Sequence, residues 1–511
     1  MFDEKTHPDH PTSPIYSENY IQSDFLDAPI SPKNPSNHTK KSLSLTPEYT
    51  HSPNISHDVK YTHMDNSLTV NMQLSYKIDL FRRGITQIQT LISQNVLQMC
   101  GNSVVLLICH AITNIQVVIA NVTDIPCKDA TLCVLLQQIL ERMNDCLLLS
   151  TEMLYTYQFS NVPLAWRRLY AYASAFKAMA EMSMHQTEAK IIETLDMALI
   201  MTGGVDIKHF LMELVNIQNP KALSNQEILP TFHPEKNIEQ VTIHFPIRSM
   251  QSPSVHTFQN DILAVQQPLI IKNSINHWPA LSQEGWIKID TLLNKTHQGL
   301  RIVPVEIGRN YTDQAWGQQL MPFYEFLKKY ILQTKKTSNT HGTEKEEIGY
   351  LAQHDIFSQI PALREDIMVP DYCFTTPPPI PSHLQAFIEE MPLLHEPLLN
   401  AWFGGKGTVS PLHTDPYHNI FSQIVGWKYV RLYAPEENEA LYPRSFEGGI
   451  NMSNTSQIDL DNLDTKKFPK FSNAKYVEGI IGPGDCLYIP VGWWHYVRSL
   501  SVSFSVSFWW N

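Results

Sequence analysis

The sequence has no cysteine pattern that would support a disulfide framework or a zinc site. Seven cysteines are scattered over 511 residues, and none are spaced as C-x-x-C. Positive charge is also scarce, because the formal net charge is −12 and the sequence pI is near 5.9. These properties favour a reducing compartment and argue against direct nucleic-acid binding over the whole surface.

Signals for membrane insertion are missing as well. The N-terminus has no basic segment followed by an apolar one. The most apolar stretch, residues 104–120, is interrupted by His110, Asn114 and Gln116. The sequence therefore predicts a soluble protein without a membrane partner.

Changes in composition divide the chain into four parts. Residues 1–72 are rich in proline, serine, asparagine and histidine, with few apolar clusters, so we expect a disordered tail. Residues 73–218 are rich in leucine, isoleucine, methionine and alanine and are predicted to form a helical domain. The proline-containing stretch 219–240 is predicted to be a linker, and residues 241–511 a β-rich domain.

The helical prediction depends on periodic apolar residues. Leu132, Leu136, Ile139 and Met143 recur at helical spacing, which places one apolar stripe on one face. Gly203 supplies a C-terminal stop for a second such pattern. The stripes must be buried, either against the β domain or against a protein partner of the helical domain.

The C-terminal part alternates β-branched and aromatic runs with turn residues, which is typical of an antiparallel β domain with attached helices. The fold class is therefore predicted as α+β. The predicted strands cover residues 268–272, 300–307, 419–433, 485–490 and 501–510, and a helix is expected over 322–331.

A possible metal site is formed by the motif around His413 and Asp415 together with His495. If His413 and Asp415 lie on one strand, their side chains project from the same face, roughly 7 Å apart along the chain. His495 follows an apolar strand and can supply a third ligand from a strand end. Two imidazoles and one carboxylate are the ligand set of non-haem Fe(II) oxygenases, although an H-x-D motif alone is weak.

Together with several other strings, this motif resembles the jumonji-C family of Fe(II)- and 2-oxoglutarate-dependent oxygenases. The resemblance covers residues 241–511 and is closest to the lysine-specific demethylase 8 subgroup. It implies a C-terminal double-stranded β-helix, a barrel of the cupin class, preceded by the helical region. The strings that carry it are Gly349-Tyr-Leu-Ala-Gln-His354, Ala401-Trp-Phe-Gly404, Val425-Gly-Trp-Lys428, Phe468-Pro-Lys-Phe471 and Ser503-Phe-Ser-Val-Ser-Phe-Trp-Trp510.

The resemblance also implies cofactors and the residues that bind them. It implies Fe(II) bound by His413, Asp415 and His495, with O2 and 2-oxoglutarate as co-substrates. Lys428 matches the residue that pairs with the distal carboxylate of 2-oxoglutarate, and a lysine on an apolar strand requires such an anion unless it lies in solvent at a sheet edge. Further positions matching 2-oxoglutarate contacts are Tyr350, Ser410, Asn419 and Trp509.

For the substrate, Glu306, Tyr311 and Trp402 match positions near the target side chain. A carboxylate and an aromatic wall suit a guanidinium, while the alternative for Trp402 is ordinary core packing. The subgroup implies C3 hydroxylation of arginine in a protein or peptide, and a nuclear or cytoplasmic chromatin regulator. Two alternatives stay open: demethylation of histone methyl-lysine through N-methyl hydroxylation, and a catalytically silent peptide-binding module.

Overall fold

The computed structural model describes residues 66–121, 129–157, 161–220, 238, 240–313, 316–332, 347–379, 391–447 and 450–511. The predicted tail, up to residue 65, and most of the predicted linker lie outside the described residues. The first helix begins at Asn66. Residues 66–72, which the sequence assigns to the predicted tail, therefore have helical backbone.

Six helices form the N-terminal part of the described chain. They are α1 (Asn66–Ser93), α2 (Asn102–Asn121), α3 (Ala130–Thr156), α4 (Leu164–Ser183), α5 (Glu188–Thr202) and α6 (Lys208–Asn216).

The apolar stripe predicted around residue 136 lies on α3 and is confirmed as core. Leu132, Leu136, Ile139 and Met143 are buried, and the Asp129 side chain caps the start of the helix by accepting bonds from two backbone N–H groups. Gly203 ends α5 in the left-handed conformation, with φ of 69°. Propensity, capping and burial therefore agree along this region.

Helix α2 is long and apolar enough to cross a membrane, with a mean hydropathy of 2.0. Its apolar face, which includes Ile108 and Ile115, is buried in the helical core. The helix contacts α3 and α4. A core helix of a helical bundle meets the same criteria of length and composition.

Fifteen strands follow in the residues that the structure describes, most of them in the C-terminal half. They are β1 (Ser249–Gln251), β2 (Leu269–Lys272), β3 (Ile302–Ile307), β4 (Gly317–Pro322), β5 (Gly349–His354), β6 (Leu398–Gly404), β7 (Val409–His413), β8 (His418–Val425), β9 (Lys428–Tyr433), β10 (Phe446–Glu447), β11 (Ile450–Asn451), β12 (Tyr476–Ile481), β13 (Cys486–Ile489), β14 (Trp494–Ser499) and β15 (Ser503–Trp510).

The strands predicted from sequence are present, with one division. The run predicted over 419–433 is two strands, β8 and β9, because Gly426 adopts a φ of 73° and turns the chain between them. A Cβ at Gly426 would lie 1.8 Å from the carbonyl oxygen of Val502, so glycine is required there.

Two sheets face each other and form the barrel. A nine-stranded sheet has the order β1-β2-β13-β8-β15-β6-β5-β3-β4, and a four-stranded sheet has the order β12-β9-β14-β7. A buried cluster draws on both sheets, with Phe421 and Leu487 from the first and Val430 and Val497 from the second. The predicted α+β fold with a C-terminal double-stranded β-helix is confirmed.

Short helices cover the outer face of the nine-stranded sheet. Alternate residues of β15, such as Phe504 and Phe508, point outward and pack against Trp286 and Trp278. The helices on this side are α7 (Val255–Thr257), α8 (Ile289–Lys295), α9 (Phe323–Phe326), α10 (Ile356–Gln359) and α11 (Pro361–Arg364). The helix expected over 322–331 is α9 followed by a π-helical turn.

A buried ion pair connects the helical region to the barrel. Arg301, at the start of β3, donates from Nε and Nη2 to the Asp196 carboxylate on α5, at 2.6 to 3.0 Å. The Ile302 N–H donates to the same carboxylate at 2.8 Å, and Arg301 Nη2 also donates to the Gln359 carbonyl. The side chains of Asp196 and Arg301 are 0% and 3% exposed, so the helical domain packs on the barrel through a desolvated pair.

Removal of this charge is expected to destabilise the whole chain. Asp196→Asn leaves the Arg301 guanidinium buried without its counterion, which costs about 3–5 kcal/mol in the free energy of unfolding. Urea denaturation monitored by circular dichroism measures the loss. The matched control is Asp79→Asn, which removes an exposed partner of Arg83 and should leave the denaturation midpoint unchanged. Equal midpoints for the two variants would contradict the prediction.

Candidate active site

A bulge in β7 places two predicted site residues on the interior of the barrel. His413 pairs with His495 of β14, but Ser410 pairs with Val497, so three residue steps on β7 oppose two on β14. Strict alternation would put Ser410 and His413 on opposite faces. The bulge brings both side chains to the interior, while Leu412 packs in the cluster outside the four-stranded sheet.

The three predicted metal ligands meet at one end of these strands. Their ligand atoms lie within 4.8 Å of one another, and all three residues are buried. Asp415 Oδ1 is 3.7 Å from His413 Nε2, and Asp415 Oδ2 is 3.5 Å from His495 Nε2. Asp415 lies beyond the end of β7, so the expectation that one strand carries both His413 and Asp415 is wrong. The turn, not alternation along a strand, brings the carboxylate to the imidazoles.

Hydrogen bonds determine which ring nitrogen of each histidine can bind a metal. His413 Nδ1 donates to the Pro411 carbonyl at 2.7 Å, and His495 Nδ1 donates to the Trp493 carbonyl at 3.0 Å. A carbonyl oxygen only accepts, so the proton of each neutral ring is on Nδ1. In a neutral ring the Nε2 lone pair then faces the Asp415 carboxylate, which is the orientation that a metal site requires.

Burial and mutual charge set the protonation of this cluster. Desolvation and the neighbouring His495 lower the pKa of His413 to about 4. Burial would raise the pKa of Asp415, but the two imidazoles outweigh it and lower that pKa. The pKa of His495 is raised, because the Asp415 carboxylate outweighs the desolvation of its ring. The cluster thus presents an ionised carboxylate, as a cation site needs.

His418 is a nearby histidine that does not join the cluster. Its Nδ1 lies 3.1 Å from the Tyr488 hydroxyl, and its ring packs between Tyr488 and Trp510. Burial lowers its pKa to about 3, so it is neutral. His418 therefore lies outside the cluster formed by His413, Asp415 and His495.

Lys428 is a buried ammonium at the other end of the same interior face. It pairs with Ser499 of β14, four residues beyond His495, which corresponds to about 13 Å along the strand. The residue is 1% exposed, and its Nζ donates to the Tyr350 hydroxyl at 2.9 Å. Burial lowers its pKa to about 7. No carboxylate among the described residues forms an ion pair with Lys428, so the site lacks an anion.

Tyr350 connects the predicted co-substrate residues to the predicted substrate residues. Its hydroxyl accepts a hydrogen bond from Lys428 Nζ. Burial raises the pKa of Tyr350, and the neighbouring Ser410 hydroxyl partly offsets this rise. On β5 it pairs with Glu306 of β3, and its ring centroid lies 6.1 Å from that of Trp402. The two groups of residues therefore lie side by side on the interior face.

Two buried polar atoms beside the metal ligands have no bonding partner among the described residues. Asn419 donates from Nδ2 to Asp415 at 3.2 Å, while its Oδ1 accepts nothing. Trp509 pairs with Asn419 across β15 and β8, and its indole N–H is also unsatisfied. Buried orphan groups of this kind indicate space for a polar ligand.

The predicted substrate residues Glu306 and Trp402 face the interior with defined contacts. Trp316 donates from its indole N–H to Glu306 Oε2 at 3.2 Å. Trp402 donates to the Ser507 hydroxyl at 3.0 Å, so its polar edge is fixed and its ring stands between Tyr350 and Phe421. Trp402 is partly exposed, and it also packs against the buried cluster between the two sheets, as the core alternative expects.

Tyr311 is connected to the metal ligand His413 by Thr455, a residue that was not selected from the sequence. Its hydroxyl is 3.4 Å from the Thr455 hydroxyl, and Thr455 forms a β-bridge with His413. Thr455 was missed because its segment is distant in sequence and has no motif. Trp316 was also missed, although a tryptophan in a polar segment was an available signal.

Comparison with known proteins agrees with this geometry. A family model described as "Cupin-like domain" matches residues 255–511. "Lysine-specific demethylase 8" of Danio rerio is 38% identical over 384 residues, covering 71% of this chain and 85% of the relative. "Jumonji C domain-containing protein 5" of Drosophila melanogaster is 38% identical over 366 residues, covering 70% and 84%. "Lysine-specific demethylase JMJ30" of Arabidopsis thaliana is 36% identical, covering 70% and 83%.

The chain belongs to the cupin-like JmjC family. It is therefore a 2-oxoglutarate-dependent oxygenase, as expected from the sequence. The match begins at residue 255 and leaves the helical region outside the family model. All three relatives nevertheless align over about 70% of the chain, which is more than the barrel.

An ionic network holds the rim of the JmjC barrel beside Tyr311. Arg309 donates from two nitrogens to the two oxygens of Asp459, at 2.5 and 2.8 Å, and also to Asp461 at 3.0 Å. Asp461 in turn accepts from the hydroxyl of Tyr496, the neighbour of His495. The network also borders a cavity of about 340 Å³ behind β7, on the opposite side from the metal ligands.

The Arg309 pair is expected to hold the rim loop of the JmjC barrel in place. Arg309→Met removes three charge-assisted bonds, so backbone amides over residues 308–313 should exchange with solvent at least tenfold faster, as measured by hydrogen–deuterium exchange. Arg444→Met is the matched control, because Arg444 lines the same cavity but binds Glu447 and the Ser456 carbonyl. Equal exchange in both variants would refute the role of Arg309.

Proposed function

We propose that His413, Asp415 and His495 bind Fe(II) and that 2-oxoglutarate binds between this centre and Lys428. The Nε2 atoms of the two histidines and the ionised carboxylate converge on one point and suit a divalent cation. The ammonium without a counterion suits the distal carboxylate of the co-substrate. When bound, iron with 2-oxoglutarate and O2 supplies the oxidising chemistry, in which a C–H group becomes C–OH and 2-oxoglutarate becomes succinate and CO2.

The protein side chains then bind, orient and exclude water. Lys428 and the Tyr350 hydroxyl would hold the far end of 2-oxoglutarate, with the Ser410 hydroxyl near that of Tyr350. Asn419 and Trp509 offer an unsatisfied acceptor and an unsatisfied donor near the ligands. The apolar pair Val430 and Val497 lies between the two ends and keeps the interior dry.

The proposed reaction is hydroxylation of a protein side chain, most specifically C3 of arginine. This choice rests on the positions of Glu306 and Trp402 on the interior face of the barrel. Glu306 lies opposite Tyr350 in the ladder between β3 and β5, and the ring centroid of Trp402 lies 6.1 Å from that of Tyr350. A carboxylate can receive two guanidinium N–H groups, and an indole ring can stack on the guanidinium plane.

Methyl-lysine is the second candidate target. It is favoured by the printed names of relatives from Danio rerio and Arabidopsis thaliana, which are lysine-specific demethylases. Hydroxylation of an N-methyl group followed by loss of formaldehyde would use the same centre, and Trp402 could contact a methylammonium. The silent peptide-binding alternative accounts for neither the three ligands nor the buried lysine. In either case we propose that the substrate is another protein in the nucleus or the cytoplasm.

Product mass distinguishes these reactions. The protein is incubated with Fe(II), ascorbate, 2-oxoglutarate and either arginine peptides or methyl-lysine histone peptides. A gain of about 16 Da on arginine, the mass of one added oxygen atom, supports hydroxylation. A loss of about 14 Da from methyl-lysine supports demethylation. His413→Ala should abolish both changes and reduce succinate formation at least a hundredfold, because it removes a metal ligand.

A matched control tests whether the loss is specific to the metal ligand. His418→Ala removes a buried histidine five residues away that lies outside the ligand cluster. Full succinate formation by His413→Ala would show that the ligand assignment is wrong. Absence of succinate with the unmodified protein would favour the silent module.

The proposed role of Lys428 predicts a pH dependence of 2-oxoglutarate binding. With a pKa of about 7 in the ligand-free protein, Lys428 is mostly ammonium below pH 7 and mostly neutral above it. A bound carboxylate requires the ammonium, so binding above pH 7 takes up a proton, and affinity should fall up to about tenfold per pH unit. Calorimetric titration with 2-oxoglutarate and Mn(II), from pH 6 to 9, measures this change.

Two controls isolate the lysine from the metal ligands. Lys428→Met should bind 2-oxoglutarate at least a hundredfold more weakly and lose this pH dependence. Pyruvate, which lacks the distal carboxylate, should bind with the same pH dependence to both proteins. A slope that is unchanged in Lys428→Met would refute the proposed contact.

A further inference from the structure

The nine-stranded sheet ends beside the candidate substrate residues in a strand with a free edge. Strand β4 pairs with β3 alone, and Gln318 lies opposite Glu306 in that ladder. Gln318 and Leu320 are exposed, and neither makes a backbone hydrogen bond outward to any part of the chain that the structure describes. The edge is therefore open next to a residue of the proposed substrate site.

The register shows which backbone groups point out of this edge. Pro304 lies opposite Leu320 and has no N–H, so the two residues cannot exchange a pair of bonds. The backbone N–H and C=O groups of Ile302 also point away from β4, because the N–H donates to Asp196 and the carbonyl accepts from Gln359. By alternation, the N–H and C=O groups of Leu320 and Gln318 point away from β3.

This edge lacks the features that usually prevent strand addition. Residues 317–322 include no charged side chain, and their register with β3 runs without a bulge. The only proline is Pro322, at the end of the strand. Natural proteins protect edge strands with charges, bulges or very short strands. At the other end of the same sheet, β1 is only three residues long.

We infer that the β4 edge binds an extended segment of the protein substrate by β-strand addition. This inference rests on the proposed function and specifies how the substrate docks. An added strand would lie about 4.8 Å beyond β4, and half of its side chains would share the interior face with Glu306. The edge is continuous with the proposed site, which favours the substrate over an unrelated partner. Main-chain bonds would make binding tolerant of the flanking sequence.

The test combines a change in the enzyme with a change in the peptide. The probe is a fluorescently labelled pool of nonapeptides with arginine at the centre, and binding is measured by anisotropy. Leu320→Pro removes an outward N–H without removing a bond to β3, and Leu320→Val keeps that N–H as the matched control. We expect Leu320→Pro to weaken binding about three- to tenfold relative to Leu320→Val.

Backbone N-methylation of the peptides tests the same bonds in the unaltered protein. Methylation at every second residue on one side of the arginine should weaken binding at least tenfold in one register, and methylation in the other register should have little effect. Hydrogen–deuterium exchange should show protection of residues 317–322 by the unmethylated peptide.

Two results would overturn the inference. Binding that is unaffected by Leu320→Pro and by both methylation patterns would mean that no strand is added. Protection of residues 317–322 that depends on protein concentration and not on peptide would assign the edge to a second copy of this chain. If the methylation pattern holds and no arginine product forms, the docking edge stands and the proposed reaction is wrong.

Discussion

The pairing of His413 with His495 across β7 and β14 is the contact on which the interior of the barrel depends. Because side chains alternate along a strand, a slip of one residue would turn His495 outward and bring Trp494 inward. The ladder on the other side of β14, with β9, aligns Ser499 with Lys428, so the placement of β14 sets both ends of the site. The bulge in β7 then allows Ser410 to face inward together with His413.

The interior separates charge along its length. The Asp415 carboxylate and two imidazoles occupy one end, and the Lys428 ammonium occupies the other, with valines between them. Lys428 is buried without an ion-pair partner among the described residues, whereas Asp415 lies beside the two imidazoles. A buried ammonium without a counterion lowers the stability of the ligand-free protein. An anion bound at this end, as proposed for 2-oxoglutarate, would offset that cost.

The residue types of the site could be predicted from sequence better than their arrangement. The ligand motif and Lys428 could be identified mainly through the resemblance to the jumonji-C family, and the strands through their local alternation. The bulge in β7 could not be predicted in the same way, since Pro411 is the only sequence feature that indicates an irregularity there. Thr455 and Trp316 were missed because each touches a site residue through tertiary contacts that leave no periodic trace.

The boundary between helical and β-rich parts was visible in composition, but the bond across it was not. Asp196 and Arg301 are 105 residues apart, and each looks like an ordinary charged residue in its own segment. Burial of both side chains becomes apparent only when α5 packs against β3. Sequence alone therefore located the parts and left their mutual dependence open.

That dependence makes the compositional boundary a poor place to divide the protein. If the chain is cut there, the barrel fragment keeps a guanidinium that the fold buries and the helical fragment keeps a carboxylate that it buries, each without its counterion. The cut would also leave the Ile302 N–H, at the start of the strand that carries Glu306, without its acceptor. The helical region thus supports the start of β3, and a protein trimmed to its family match would lose the bonds that hold this strand in place.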